Sequence, residues 1–276
     1  MKSIFTENRT ALITGVSAGI GFKLTKLLAH KLDSLVVVAR RAERLTQLAN
    51  ELQTQLPKLR VVVESADLAN QEAVEDLLKR MDELRLSVDV LVNNAGLGEA
   101  ELFERSSWSR IKQIIAVNVL AMLRLSHHFL PSMINRGHGA ILNIGSGAGY
   151  AAMPNAAVYT ASKHFVRAFT ESLRAQLAGT GITVSEAAPG PVESEFDQAA
   201  GIKGGATAGQ DIFRITSQEC AADIIREFEK GAPVIFPGRN YGLLMKAQPL
   251  MPRRLVSRQI AQAAREIRRK TDKRAA

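Results

Sequence analysis

Short runs of aliphatic residues alternate along this chain with longer stretches in which apolar side chains recur at helical spacing. Such alternation is typical of βαβ units and predicts an α/β fold, a three-layer, doubly wound arrangement with helices on both faces of a mostly parallel sheet. We expect a seven-stranded sheet, with strands at residues 10–14, 35–39, 60–64, 88–92, 140–145, 182–187 and 232–236. The last strand suggests a division into a domain of residues 1–238 and an extension of residues 239–276.

A glycine-rich turn follows the first predicted strand, in the segment Thr14–Gly21. Glycines allow the backbone to turn tightly and to approach a pyrophosphate closely at the positive end of a helix. The spacing is G-x-x-x-G-x-G, and an ordinary turn between a strand and a helix is the alternative interpretation. We interpret the segment as a dinucleotide-binding loop formed by Gly15, Ser17, Ala18, Gly19, Ile20 and Gly21.

Two arginines, Arg40 and Arg41, stand at the end of the second predicted strand. In a dinucleotide-binding fold this strand end faces the adenosine ribose, where an acidic residue accepts hydrogen bonds from a free 2′-hydroxyl. Ala39 offers no carboxylate, whereas the planar guanidinium of Arg40 is suited to a 2′-phosphate. The alternative is that both arginines only solvate the strand end. The pattern favours NADP(H) over NAD(H).

A possible acid/base pair is formed by Tyr159 and Lys163, with Ser146 thirteen residues upstream of the tyrosine. Residues four positions apart lie on the same face of a helix. A lysine ammonium beside a phenol favours the phenolate, so we expect Lys163 to lower the pKa of Tyr159 from its ordinary value of about 10. Taken alone, Y-x-x-x-K is weak evidence, because it also occurs on solvated helices.

Together these motifs resemble the short-chain dehydrogenase/reductase family, in its compact single-domain branch. The resemblance runs from about Thr10 to about Pro237, and the motifs appear in the family's order and spacing. The matching segments are Thr14–Gly21, Asp67 with Leu68, Asn93–Gly96, Asn118, Ser146, Tyr159 with Lys163, and Pro189–Ser194. The resemblance implies a Rossmann fold and an NADP(H)-dependent oxidoreductase.

The resemblance also assigns residues to parts of the coenzyme. Asp67 and Leu68 would hold the adenine. The turn after the fourth strand and the Pro-Gly loop would line the coenzyme and cover its nicotinamide, through Asn94, Ala95, Gly96, Pro189, Gly190, Val192 and Ser194. The sequence departs from the family in two places: Gly145 stands where many relatives have a second serine, and Ser194 where threonine is more usual.

The chemistry implied by the resemblance is hydride transfer between the nicotinamide and a carbonyl or carbinol carbon. Tyr159 would exchange the proton of the substrate oxygen, and Ser146 would donate a hydrogen bond to that oxygen. Lys163 would bind the nicotinamide ribose as well as tune the tyrosine, and Asn118 would hold a water that links the lysine to solvent. This chemistry needs no metal, and the five histidines show no ligand spacing.

The net charge of +9 resides wholly in the C-terminal extension, which holds eleven Lys or Arg residues and two acidic ones. Its apolar side chains fall near helical spacing, at Leu255, Val256, Ile260, Ala263 and Ile267. Three interpretations stay open for this basic amphipathic helix: docking on its own domain or on a second subunit, peripheral contact with an anionic membrane, and binding of an anionic macromolecule. No nucleic-acid motif accompanies it, so we expect no nucleic acid partner.

Other features bear on the compartment and the assembly. The single cysteine, Cys220, excludes an intrachain disulfide, and the N-terminus shows no hydrophobic signal core. We expect no run that approaches the roughly 20 apolar residues of a membrane span, and therefore a cytoplasmic protein. By resemblance, a homodimer or homotetramer would form through the helices containing residues 107–135 and 155–178, and the glycine-rich segment 195–216 would be a substrate lid or a surface loop.

Three functions are compatible with these residues. The complete set of Asn118, Ser146, Tyr159 and Lys163 favours a carbonyl reductase or alcohol dehydrogenase acting on a small molecule, with a hydrophobic carbonyl or alcohol as one option. A 3-oxoacyl thioester reductase of lipid metabolism would use the same four residues. A non-catalytic protein that senses NADP would have no need of all four.

Overall fold

A seven-stranded sheet with all neighbouring strands parallel forms the centre of the computed structural model, which describes residues 4, 9–201, 211–248 and 253–275. Its strands are β1 Thr10–Thr14, β2 Ser34–Ala39, β3 Arg60–Ser65, β4 Val90–Asn93, β5 Gly139–Ile144, β6 Ile182–Ala187 and β9 Val234–Ile235. Two further strands, β7 Val192–Glu193 and β8 Ile215–Thr216, form a separate parallel pair. The order in the large sheet is β3-β2-β1-β4-β5-β6-β9.

Helices cover both faces of this sheet, as the alternating pattern predicts. The helices are α1 Gly19–Ala29, α2 Ala42–Gln55, α3 Gln71–Glu83, α4 Trp108–Ile115, α5 Met122–Arg136, α6 Ala157–Gln176, α7 Glu195–Ala199, α8 Ser217–Glu229, α9 Arg239–Ala247 and α10 Arg253–Ala275. One apolar cluster joins the sheet to α1, α2 and α8, and the other joins it to α3, α5 and α6. The predicted doubly wound, three-layer architecture is confirmed.

The connections place a topological switch point between β1 and β4. The chain runs outward from β1 through β2 to β3, returns to β4 on the other side of β1, and then continues through β5 and β6. In open α/β sheets ligands bind outside the carboxyl ends of the strands at such a point. The glycine loop follows β1 and the Asn93–Gly96 turn follows β4, so both predicted motifs lie at this edge.

One long helical stretch needs a correction to the sequence analysis. Helix α4, a π-helical segment at Ala116–Ala121 and α5 together run from Trp108 to Arg136. By length and composition this stretch is apolar enough to cross a membrane, with a mean hydropathy of 1.3 over its most apolar window. The expectation that no such run exists is therefore wrong. Half of that window is buried within the protein, as in the core helix of a globular domain.

Residues 239–247 and 253–275 of the C-terminal extension form the helices α9 and α10. Helix α9 packs into the preceding domain, where Tyr241 and Met245 are buried. In α10, Ile260 and Ile267 are half-buried, whereas Ala263 is exposed. Arg268 Nη2 lies 2.8 Å from Glu104 Oε1, so this helix also touches the domain. The division of the chain at residue 238 stays a prediction.

Candidate active site

The glycine loop between β1 and α1 is locked against the turn after β4. The side-chain amide of Asn94 donates to the carbonyls of Thr14 and Gly15, at 2.8 and 3.1 Å. Gly15 has a φ of +72°, and a Cβ there would lie 2.8 Å from the Cα of Ala95. A Cβ at Gly21 would overlap Asn94 Nδ2. The glycines at these two positions therefore let the two loops approach to backbone contact.

The second half of the glycine loop faces the predicted Pro-Gly loop. Ala18 is the extended residue that precedes the first turn of α1, and the segment from Gly19 to Ile20 begins that helix. A Cβ at Gly19 would lie 3.3 Å from Ser194 Cβ. The positive end of α1 therefore opens into a narrow gap between the two loops, the geometry that suits a pyrophosphate.

Within the Pro-Gly loop, the predicted residues have structural partners. The carbonyl of Pro189 accepts from Gly147 N at 2.9 Å, Val192 is buried, and the hydroxyl of Ser194 accepts from Phe196 N at 3.3 Å at the start of α7. A Cβ at Gly190 would lie 2.7 Å from the ring of Tyr241. The loop is therefore fixed on one side by α9, which the sequence analysis assigned to the extension.

An arginine cluster lies over Ser17 beside the end of β2. Arg41 Nη2 donates to the Ser17 hydroxyl at 3.0 Å, and Arg44 Nη1 donates to the Ser17 carbonyl at 3.2 Å. Glu195 bridges the two guanidinium groups, at 2.9 Å from Arg41 and 2.7 Å from Arg44. These ion pairs hold the pKa of Glu195 below its usual range. Arg40 is exposed, and its backbone carbonyl accepts from Ser65.

The predicted adenine-binding pair lies at the carboxyl end of β3. Leu68 is buried, whereas Asp67 is exposed and accepts from Ala69 N at 3.1 Å. Ala66 N donates to the Ala39 carbonyl at 3.1 Å, which joins this turn to the end of β2. The pair therefore lies next to the strand end that carries Arg40 and Arg41.

Ser146, Tyr159 and Lys163 come together at the carboxyl end of β5. The hydroxyl of Ser146 accepts from Ala148 N at 3.1 Å, and it lies close enough to the phenol of Tyr159 to lower the pKa of that phenol. Lys163 is 4% exposed, its ammonium lies 5.9 Å from the centre of the Tyr159 ring, and it donates to the Ile144 carbonyl at 2.8 Å. Helix α6 supplies the tyrosine and the lysine one turn apart, as predicted.

The electrostatics of this trio differ from the expectation drawn from the sequence. Burial raises the pKa of Tyr159 to about 12, the Ser146 hydrogen bond acts in the opposite direction, and Asp197 raises it further. Burial lowers the pKa of Lys163 to about 8. The expected lowering of the tyrosine pKa by Lys163 is therefore wrong for this structure. Desolvation is the largest influence on the tyrosine pKa, and the lysine ammonium is bonded to the Ile144 carbonyl instead.

Asn118 lies in the π-helical segment and fixes the turn after β4. Its side-chain oxygen accepts from Leu97 N at 2.8 Å, and its amide donates to the Leu97 carbonyl and to the Ser162 hydroxyl, both at 2.9 Å. A Cβ at Gly96 would lie 3.6 Å from both Asn118 Oδ1 and Lys163 Nζ. Both polar atoms therefore border the same small space above Gly96.

Several residues of the site were missed by the sequence analysis. Arg44 lies one helical turn after Arg41, and that spacing was the available signal. Glu195 lies in the segment interpreted as a lid, and nothing in the sequence pairs it with the arginines. Glu186 and Tyr241 are buried polar residues close to the trio, brought there only by the tertiary fold.

The shape and the charge of the site both fit a dinucleotide. The loop after β1 leaves a cradle that a Cβ at Gly15 or Gly21 would fill, and α1 directs its positive end toward that cradle. The Arg41 and Arg44 guanidinium groups converge on Ser17, where an anionic group would be met by several donors. Among the described residues, no group of three His, Cys, Asp or Glu side chains could hold a metal ion.

The family follows from a comparison of the whole chain with known proteins. The short chain dehydrogenase family model matches residues 9–203. The chain belongs to the short-chain dehydrogenase family. It is therefore an oxidoreductase by family, with the Rossmann-type fold and the order of motifs that the sequence analysis expected.

Relatives with assigned names resemble most of the chain. Sulfoacetaldehyde reductase 2 of Chromohalobacter salexigens is 37% identical over 219 residues, which cover 77% of this chain and 84% of that protein. The NADP-dependent 3-hydroxy acid dehydrogenase YdfG of Escherichia coli is 35% identical over 182 residues, 66% of this chain and 71% of that protein.

Solved structures give the same family. A short-chain dehydrogenase from Sphingobium yanoikuyae in complex with NADPH superposes with a TM-score of 0.80 at 28% identity, covering 90% of this chain and 95% of that one. The bulky-bulky ketone specific alcohol dehydrogenase from Comamonas testosteroni superposes with a TM-score of 0.74 at 27% identity, covering 88% and 93% of the two chains.

Proposed function

We propose that this enzyme interconverts a ketone or aldehyde and the corresponding alcohol by hydride transfer with NADP(H), with Tyr159 as its acid/base. The observation that carries the proposal is the position of Ser146 beside Tyr159, with the buried ammonium of Lys163 one helical turn from the tyrosine. A sensor of NADP would not need a serine and a tyrosine directed at one another beside the coenzyme loop.

NADP(H) is favoured over NAD(H) by the cluster at the end of β2. Two guanidinium groups and the Ser17 hydroxyl offer the donors that a 2′-phosphate requires. The NADPH bound in the Sphingobium relative and the NADP dependence in the name of the Escherichia coli relative agree with this choice. When bound, the nicotinamide supplies or accepts the hydride.

The proton chemistry falls to Tyr159 and Ser146. A phenol with a pKa of about 12 carries its proton at neutral pH, so Tyr159 can donate that proton to a carbonyl oxygen as negative charge develops there. Ser146 donates a hydrogen bond to the same oxygen, which stabilises the developing charge. In alcohol oxidation the phenol first gives up its own proton, and the phenolate then accepts the proton of the alcohol.

Lys163 and Asn118 supply the connection from the tyrosine to solvent. The Lys163 ammonium would donate to the ribose hydroxyls of the bound coenzyme. Asn118 Oδ1 keeps a lone pair beyond its bond from Leu97 N, and it borders the same space as Lys163 Nζ. This space suits a water that returns the proton to the lysine.

An apolar cover favours a neutral carbonyl substrate. The ring of Phe196 lies 5.7 Å from that of Tyr159, and a Cβ at Gly98 would lie 2.6 Å from the Phe196 ring. The ring therefore lies over both the tyrosine and the turn after β4. The names of the relatives span an aldehyde sulfonate, a hydroxy acid and bulky ketones, so they support the reaction class rather than one substrate.

A homodimer or homotetramer is the assembly that we propose. A groove of about 940 Å³ between α3, the π-helical segment, α5 and α6 is lined mainly by apolar side chains, and Leu120 and Phe165 are each about 40% exposed on these elements. If a second copy packs with the same face against this one, two-fold symmetry would cover Leu120 and Phe165 of both protomers. A sedimentation velocity measurement that gives a monomer near 30.0 kDa would contradict this assembly.

For α10 we propose docking on its own domain in preference to membrane contact. The Arg268–Glu104 ion pair and the half-buried Ile260 and Ile267 support docking. A cytoplasmic location is supported by the buried free thiol of Cys220. Co-sedimentation with anionic vesicles that is lost in an Arg254→Glu, Arg258→Glu variant would favour the membrane instead.

The reaction is tested by NADPH oxidation against aliphatic, aromatic and acyl-thioester carbonyls. Tyr159→Phe removes only the hydroxyl, so it should bind NADPH with unchanged affinity and lose about 10²- to 10⁴-fold in kcat. NADPH binding with no turnover across the panel would favour a sensor. Turnover that survives in Tyr159→Phe would exclude Tyr159 as the acid/base.

A further inference from the structure

A buried carboxylate, Glu186, lies in β6 close to the catalytic trio. The residue is 2% exposed, and the Tyr150 hydroxyl donates to its Oε2 at 2.7 Å. Its Oε1 has no hydrogen-bond partner among the described residues. Burying a carboxylate with an unsatisfied oxygen lowers the stability of the fold, which indicates that this residue has a role other than stabilisation.

Glycine at position 145 makes room for that carboxylate. A Cβ at Gly145 would overlap Glu186 Oε1. Gly145 stands between Ile144, whose carbonyl accepts from Lys163, and Ser146, whose hydroxyl meets Tyr159. The Glu186 carboxylate therefore lies directly behind the piece of backbone that holds the lysine and carries the serine.

Charged and titratable groups face Glu186 from three sides. Helix α6 contributes Lys163, Arg167 and Glu171, which follow one another at intervals of four residues. The segment after β5 contributes Tyr150, whose ring lies 4.0 Å from the Arg167 guanidinium carbon. Helix α9 contributes Tyr241, 6% exposed, whose hydroxyl also has no hydrogen-bond partner among the described residues.

We propose that Glu186 is a positioning residue, whose buried negative charge keeps Lys163 in its ammonium form where the lysine meets the Ile144 carbonyl. The proposal rests on the role of Lys163 proposed above. Glu186 acts through the field rather than by direct contact, because charges in a water-poor interior interact over several ångströms with little screening. Gly145 serves the same purpose by admitting the carboxylate.

The influences on the pKa values of Lys163 and Glu186 agree with this role. Burial lowers the pKa of Lys163 to about 8, and the charge of Glu186 acts against that lowering. Burial raises the pKa of Glu186, whereas the Tyr150 hydrogen bond, Arg167 and Lys163 all oppose that rise and so favour the carboxylate. Removing the carboxylate would leave Lys163 neutral at a lower pH than in the wild type.

The experiment compares pH profiles of variants that differ in charge at position 186. Glu186→Gln and Glu186→Met remove the charge with different packing, and Glu186→Asp keeps it. For each we would measure NADPH-dependent kcat/KM and the NADPH dissociation constant between pH 6 and 10. We expect both neutral variants to move the alkaline limb of each profile about one pH unit toward acid, and Glu186→Asp to keep the wild-type limb.

A matched control and a second readout separate this role from a structural one. Glu171→Gln removes a charge from the same row of α6 at a position that is exposed to solvent; water screens this charge, so both alkaline limbs should stay in place. A uniform loss of kcat/KM in the neutral variants, with unchanged limbs in both profiles, would overturn the proposal. Failure of the wild type to turn over NADPH would refute the proposed reaction instead, and the binding profile would still test Glu186.

Discussion

Replacing the buried lysine of the site should stabilise the protein while removing its activity. Lys163 is 4% exposed, and burial lowers its pKa from 10.5 to about 8. At about 1.4 kcal/mol per pH unit, holding this ammonium in the folded protein costs about 3 kcal/mol near neutral pH. Lys163→Met fills the same space without a charge and removes that cost.

The lost hydrogen bond offsets part of the gain. Lys163 donates to the Ile144 carbonyl at 2.8 Å, and leaving that buried carbonyl unpaired costs about 1–3 kcal/mol. We therefore expect a net stabilisation of about 1 kcal/mol at pH 7, which raises the melting temperature by about 2–4 °C for a domain of this size. NADPH-dependent turnover should be lost in the same variant.

The stabilisation expected for Lys163→Met depends on pH. Above pH 10.5 the lysine is neutral in the folded and the unfolded chain, so its burial carries no charge penalty. As the pH falls toward 8, the unfolded chain takes up the proton first, and the penalty grows until it is complete below about 8. The advantage of Lys163→Met should therefore be full at pH 7 and should shrink between pH 8 and 10.5.

The assay is thermal unfolding followed by circular dichroism at pH 7, 8, 9 and 10. Lys58→Met serves as the control, because it removes an exposed lysine and should show no change across this range. A difference between Lys163→Met and the wild type that stays constant from pH 7 to 10 would refute the reasoning, since it would mean that the buried lysine pays no charge penalty.

Three further predictions concern the coenzyme and the substrate. Arg41→Ala combined with Arg44→Ala should weaken NADPH binding about 10- to 100-fold and change NADH binding less than about twofold, as measured by nicotinamide fluorescence. Glu195→Gln should strengthen NADPH binding by about two- to fivefold, because the carboxylate competes for the same exposed arginines; weaker binding would contradict this competition. Phe196→Ala should raise kcat/KM for bulky ketones relative to small ones by about tenfold, and an unchanged ratio would exclude the ring as a steric limit.

The large sheet could be predicted from the sequence because its strands are short aliphatic runs bounded by helical patterns. The predicted ranges coincide with β1 and β6 and overlap β2 to β5 with ends that differ by at most two residues, and the seventh range contains the two residues of β9. The β7–β8 pair was missed because two-residue strands such as Val192–Glu193 carry no periodicity. The helical stretch from Trp108 to Arg136 was underestimated, because its apolar residues are interspersed with polar ones such as Asn118 and Arg124.

The electrostatics of the site could not be predicted, because they depend on burial rather than on spacing. The interval between Tyr159 and Lys163 correctly indicated one helix face, but it carried no information on how far the site is desolvated. In the sequence, nothing distinguishes Glu186 from an ordinary polar residue of a strand. Only the packing of β6 against α6, beside a glycine, turns it into a buried charge facing Lys163.

The central claim is that Tyr159 transfers the proton in an NADPH-dependent carbonyl reduction. The most direct measurement is single-turnover oxidation of NADPH by wild type and Tyr159→Phe, with the carbonyl substrate that the wild type turns over best. We predict rapid oxidation in the wild type, and NADPH binding with oxidation at least about 100-fold slower in the variant. Equal rates in the two proteins would contradict the account.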